Sequence, residues 1–152
     1  MTDRSPPRSP LDPDPFQEPG LARQIPRRAR RVIAGHQQLE TFSEFVRSAV
    51  EAGSLHNARL SFMRLCDALD AHITVEDQHF FPAMRGLRPE LAPDLGQLIR
   101  EHAEFRITMD ALRDLLAQGS AEAFATQFEE FCDTVADHEL REERIIGRAI
   151  PH

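Results

Sequence analysis

Apolar residues recur at steps of three and four along most of the chain, the spacing of an α-helix with one buried face. One such face carries Val32, His36, Leu39, Ser43, Val46 and Val50, and a second carries Phe62, Leu65, Leu69, His72, Glu76 and Phe80. Leu98, His102, Phe105, Met109 and Leu112 make a third, and Phe124, Phe128, Phe131, Val135, His138 and Glu142 a fourth. Gly53-Ser54, Gly86-Leu87-Arg88-Pro89 and Gly119-Ser120 separate them, with glycine suited to a helix C-terminus and serine to an N-cap. No segment reads as a strand. Long amphipathic helices joined by short loops become antiparallel neighbours, so the pattern predicts an all-α, up-down-up-down four-helix bundle over residues 23–152.

The periodicity fails at the N-terminus, where seven of the chain's eleven prolines lie within residues 1–26. Such a stretch buries too little apolar surface to offset its ordering entropy, and a disordered Pro-rich tail over residues 1–22 is expected. In a chain of 152 residues the remainder, residues 23–152, is one domain with room for a core. Neither a membrane-spanning run nor the apolar core of a secretory signal is visible, so a cytoplasmic location is expected. Cys66 and Cys132 are too few and too far apart for a disulfide scaffold or a zinc knuckle.

A net charge of −7 argues against a nucleic-acid partner. The local exception is Arg23, Arg27, Arg28, Arg30 and Arg31, which read as a solvated helix edge or, alternatively, as a short docking element. All 18 basic residues are arginine, and Tyr and Trp are absent, which excludes a Schiff-base lysine, a tyrosine ligand and a tyrosyl radical.

An internal repeat changes the picture most. A shift of 66 carries His36 onto His102, His72 onto His138 and Glu76 onto Glu142. The same shift carries Gly53 onto Gly119, Ser54 onto Ser120, Phe62 onto Phe128, Cys66 onto Cys132, Asp67 onto Asp133 and Ala83 onto Ala149. Two helical hairpins of one design related by a pseudo-two-fold axis are predicted.

Residues four apart on a helix share a face, about 6 Å apart along the axis. Each HxxxE therefore presents an imidazole and a carboxylate toward the core, while His36 and His102 point inward from the other two helices. Burying four imidazoles and two carboxylates without compensation costs several kcal/mol per charged group. Cations offset that cost. His36, His72, Glu76, His102, His138 and Glu142 are thus candidate ligands of two metals, with two His on each and both Glu able to bridge. The donor set suits iron or manganese better than thiolate-seeking metals, with zinc a substitute. About four protein ligands per metal leave positions for an oxo or hydroxo bridge and a small exogenous molecule.

Other polar residues have blander readings. His79 lies seven residues after His72, but Ile145 occupies its place in the repeat; Asp77 and its mate Glu143 read as outer-layer or surface acids. His56 and His152 read as surface residues, and Cys66 and Cys132 as small flanks of the buried faces.

HITVEDQHFFP (72–82), Glu101-His102 and HELREE (138–143), together with the single His36, resemble the hemerythrin-like, or HHE cation-binding, domains over about residues 25–150. The resemblance implies a non-haem di-iron centre in a four-helix bundle, with the six residues above as ligands. Two departures from the oxygen-carrying hemerythrins stand out: Arg106 where those have a second third-helix His, and HxxxE where those have HxxxxD. The implied site is the four-His, two-Glu form with one fewer nitrogen donor. Arg106 and Glu40 superpose in the repeat, which predicts an ion pair between them across the bundle; the alternative is Glu40 as a further ligand. Three function classes follow: a di-iron protein that binds O2 or senses oxygen, redox state or iron; a di-iron enzyme acting on peroxide, nitric oxide or ferrous iron; and a metal-free helical bundle.

Overall fold

Glycines at matched positions turn the two hairpins. Gly53 and Gly119 adopt φ 69° and 75°, the left-handed conformation that ends a helix at little cost only for glycine. The hydrogen bonds around them repeat as well: Ser54 N–H donates to Ala49 C=O at 3.0 Å, and Ser120 N–H to Leu115 C=O at 2.9 Å. Ser54 Oγ caps the next helix by accepting from Asn57 N–H at 3.3 Å. Ser120, expected to do the same, makes no side-chain cap.

The structure, a computed structural model, describes residues 21–150, with side chains from Gln24 onward. The expected tail over residues 1–22 lies largely outside them, as does His152. The elements are α1 (Leu21–Glu51), α2 (Leu55–Val75), a π-turn (Glu76–Phe80), α3 (Phe81–Leu87), a 3-10 turn (Pro89–Leu91), α4 (Ala92–Ala117) and α5 (Ala121–Ala149). Since α2, the π-turn and α3 run on without a break, four helical rods result, and among the described residues there is no strand. No helix there is long and apolar enough to cross a membrane. The first rod starts before the arginine cluster and runs through Pro26, adding Ile25 and Ala29 to its buried face. Gly86, expected in a turn, lies inside the last turn of α3.

α1 packs on α2 and α4 on α5, while α2/α4 and α1/α5 form the other seams, the arrangement the repeat requires. Two apolar clusters fill the bundle. The larger is built around Phe62, which meets Phe124 and Phe128 edge-on at 5.3 and 6.0 Å. The smaller, around Phe80, Phe81, Met84, Leu95 and Ile146, closes the other end. Between them lies a layer of buried His and Glu.

The π-turn breaks the repeat. Phe81 N–H reaches back five residues to Glu76 C=O, so one extra residue is accommodated. Beyond it the buried residues Phe80, Phe81 and Met84 take the places of Ile145, Ile146 and Ala149, an offset of 65 instead of 66. The match of Ala83 to Ala149 is therefore one of letters only. Within this turn His79 is exposed to solvent and does not join the buried layer that His72 enters.

Candidate metal centre

His36 comes from α1, His72 from α2, Glu76 from the first residue of the π-turn, His102 from α4, and His138 and Glu142 from α5. The structure brings all six into one layer. Donor atoms of His36, His72, Glu76 and Glu142 lie within 4.8 Å of one another, as do those of His102, His138 and Glu142. Glu142 belongs to both groups, and Glu76 Oε1 lies 3.8 Å from His102 Nε2, so both carboxylates stand between the two histidine pairs. The pairs are near copies: His36 and His72 rings are 5.1 Å apart at 56°, and His102 and His138 rings 4.8 Å apart at 52°.

Six buried atoms here make no well-aligned hydrogen bond, Nε2 of His36 and of His72 and both carboxylate oxygens of Glu76 and of Glu142; they face one another instead, with His72 Nε2 3.0 Å from Glu76 Oε1 and His36 Nε2 3.6 Å from Glu142 Oε1. At about 1 to 3 kcal/mol for each unsatisfied buried polar atom, the cost is on the order of 10 kcal/mol, comparable to the whole stability of a domain. The second pair makes the same point by its tautomers. His102 Nδ1–H donates to Asp77 at 2.6 Å and His138 Nδ1–H to Glu101 at 2.8 Å, which leaves lone pairs on the two Nε2 atoms, 3.0 Å apart. Facing lone pairs repel unless a cation stands by them. The residues present fit a metal pair.

Outer carboxylates orient the rings. Asp77 serves His102, and its repeat mate Glu143 accepts from His36 Nδ1–H at 3.2 Å. Glu101 is itself gripped by Arg141 through two hydrogen bonds of 2.6 Å and by Gln97 at 3.2 Å; the guanidinium holds its carboxyl down to about 2. Phe81 stacks on His102 at 5.7 Å and Phe105 meets His138 edge-on at 4.9 Å, keeping water from both rings.

Crowded charges shift the titrations. Burial, reinforced by neighbouring Glu142, pushes the Glu76 carboxyl well above its usual range. Glu142 feels the same burial, but Glu76, His138 and His36 together hold it ionised. Burial opposes protonation of His36, yet the carboxylates of Glu142, Glu139 and Glu143 outweigh it and raise the ring to about 9. Burial and the neighbouring His36 lower His72 to about 4.

The alternatives at the margins fall away. Glu40 is exposed and accepts from Arg47 at 3.3 Å, so it joins neither the cluster nor Arg106. Arg106 instead reaches Asp70 at 2.9 Å and Thr74 at 3.3 Å, because α4 meets α2 there and stands diagonally opposite α1. His79 and His56 are exposed, and both cysteines are free thiols pushed up to about 11 by burial. Sequence reasoning assigned no role to Glu101, Arg141 or Glu139. Glu101 stands beside His102, and position 101 is where the repeat superposes Gly35, a mismatch that was open to inspection.

A helical bundle with a buried layer of four His and two Glu is a metal-binding bundle of the mixed histidine-carboxylate kind. The hemerythrin HHE cation-binding domain matches residues 29–150, and the chain belongs to that family. Searches among curated proteins and among solved structures found no match.

Proposed function

We propose that this chain is a non-haem di-iron protein that binds O2 or senses oxygen, redox state or iron. The observation that carries this reading is the set of six buried donor atoms without a hydrogen bond, on four of the six candidate ligands, His36, His72, Glu76 and Glu142, with the facing Nε2 atoms of His102 and His138 beside them in the same layer. Four nitrogen and two carboxylate donors, with no thiolate among them, favour iron or manganese, with zinc a weaker substitute. Bound iron would supply electron transfer at each metal and coordination positions the protein leaves free. The chain's own residues hold and orient: Asp77, Glu101 and Glu143 fix three ring tautomers, and Phe81 and Phe105 exclude water. A small molecule is the partner this supports, in place of nucleic acid or membrane. Free thiols and the absence of any apolar spanning helix among the described residues agree with a cytoplasmic setting.

One observation favours the enzyme reading, with peroxide, nitric oxide or ferrous iron as substrate. Glu139 lines a small cavity of about 30 Å³ with Leu69, Phe131 and Val135, where burial raises its carboxyl to about 7. Such a group holds or gives up a proton near neutral pH, beside His36. Stopped-flow mixing of the reduced, iron-loaded protein with O2 and then with hydrogen peroxide separates the readings. A persistent oxygenated spectrum supports binding; rapid irreversible oxidation with peroxide consumed over many turnovers supports the enzyme. Absence of any response to either would remove both.

A further inference from the structure

The outer carboxylates obey the repeat at one pair of positions and break it at the other. Asp77 and Glu143, 66 apart, each accept from the Nδ1–H of a histidine, His102 and His36. Glu101 accepts from His138, so the residue 66 earlier should accept from His72, and that residue is Gly35. Instead of a carboxylate, His72 meets bare backbone of α1. A Cβ built on Gly35 would lie 2.6 Å from His72 Nδ1 and 2.8 Å from Cε1.

Three further differences point the same way. His102 and His138 are 0% and 3% exposed, whereas His36 and His72 are 6% and 13%. Glu101 is clamped by Arg141, while at the position 66 residues before Arg141 stands the exposed Val75. A groove of about 610 Å³ between α1 and α2, lined by Gly35, Gln38, Phe42, Val75 and His79, opens directly onto His72.

Resting on the di-metal reading, we infer that the two metal positions are unequal: the His102–His138 position fills first and holds tightly, while the His36–His72 position exchanges its divalent cation through the α1/α2 groove. Loss of an oriented outer partner lowers metal affinity roughly 10- to 100-fold. Gly35 is the residue that sets the difference, since it both withholds that partner and makes room for the ring. A chain so built responds to falling metal supply by releasing one metal and keeping the other.

Anaerobic titration of the metal-free chain with cobalt(II), followed by its visible absorption, tests this. Wild type is expected to take up one equivalent at least ten-fold more tightly than the second. In Gly35→Ala the new methyl meets only the tip of a side chain, so the fold persists by circular dichroism while the ring is displaced. One tight equivalent should remain. His72→Ala should give the same stoichiometry, and Gly35→Ala added to it should change nothing further. Glu101→Ala should weaken the tight step about 10- to 100-fold, bringing the two steps together. Two steps of equal affinity in wild type, or loss of the tight step in Gly35→Ala, would overturn the inference while leaving the metal pair intact. No cobalt uptake by wild type would remove the di-metal reading itself.

Discussion

Replacing Glu76 by methionine should stabilise the metal-free protein and weaken its response to metal. Glu76 is 1% exposed and neither of its carboxylate oxygens makes a well-aligned hydrogen bond, Oε1 only approaching His72 Nε2 at 3.0 Å. Methionine has a similar length and carries no polar atom. Two unsatisfied oxygens cost about 1 to 3 kcal/mol each, and imperfect packing of the new side chain takes back part of the gain, leaving about 2 kcal/mol. The 130 described residues, at about 2.1 cal/mol/K each, have an unfolding entropy near 0.27 kcal/mol/K, so the midpoint should rise by about 7 °C. The assay is thermal unfolding by circular dichroism, with chelator and then with ferrous iron under anaerobic conditions. Iron at a thousand times its Kd adds about 4 kcal/mol per site to wild type, so the order of the two proteins should invert. A Glu76→Met chain that melts below wild type in chelator would refute the reasoning, because it would mean that the carboxylate is there to stabilise the fold.

Three other outcomes follow from the same structure. Metal uptake at pH 7 should release about one proton from His36, raised to about 9, and more to the extent that the raised Glu76 carboxyl is also protonated. Protons therefore compete with metal, and affinity should fall as pH drops and level off above pH 9; calorimetry in buffers of different ionisation heat counts the protons, and a count of zero would contradict these assignments. Phe62→Ala, which opens a hole against Phe124 and Phe128, should cost about 3 to 5 kcal/mol in urea unfolding while metal stoichiometry is unchanged. Gly53→Ala and Gly119→Ala, each at positive φ with no atom within 4 Å of the new methyl, should cost about 1 kcal/mol apiece and equally, since only backbone strain is involved.

Much of this was legible in the residues. The 66-residue repeat located both turns and all six members of the buried layer, because helical periodicity and side-chain spacing are properties of the chain itself. What it missed depends on backbone detail. A π-turn has no composition of its own, so the sequence put His79 in step with His72, whereas in the structure it is exposed and outside the buried layer. The expected Glu40–Arg106 pair assumed that matched positions meet at the axis; both residues sit on flanks of their rods, where α1 and α4 have different neighbours. Glu101 and Gly35 lie one residue before His102 and His36, and only the ring positions reveal that the first supports His138 while the second leaves its repeat mate His72 bare.

The central claim is that six side chains form one two-metal centre joined at Glu142, which belongs to both donor groups. Iron bound per chain, measured by anaerobic equilibrium dialysis at saturating ferrous iron, tests it most directly. About two iron ions in wild type, and none in Glu142→Ala of unchanged helicity, is the expected result. Less than one iron in wild type, or two retained after Glu142→Ala, would contradict the account.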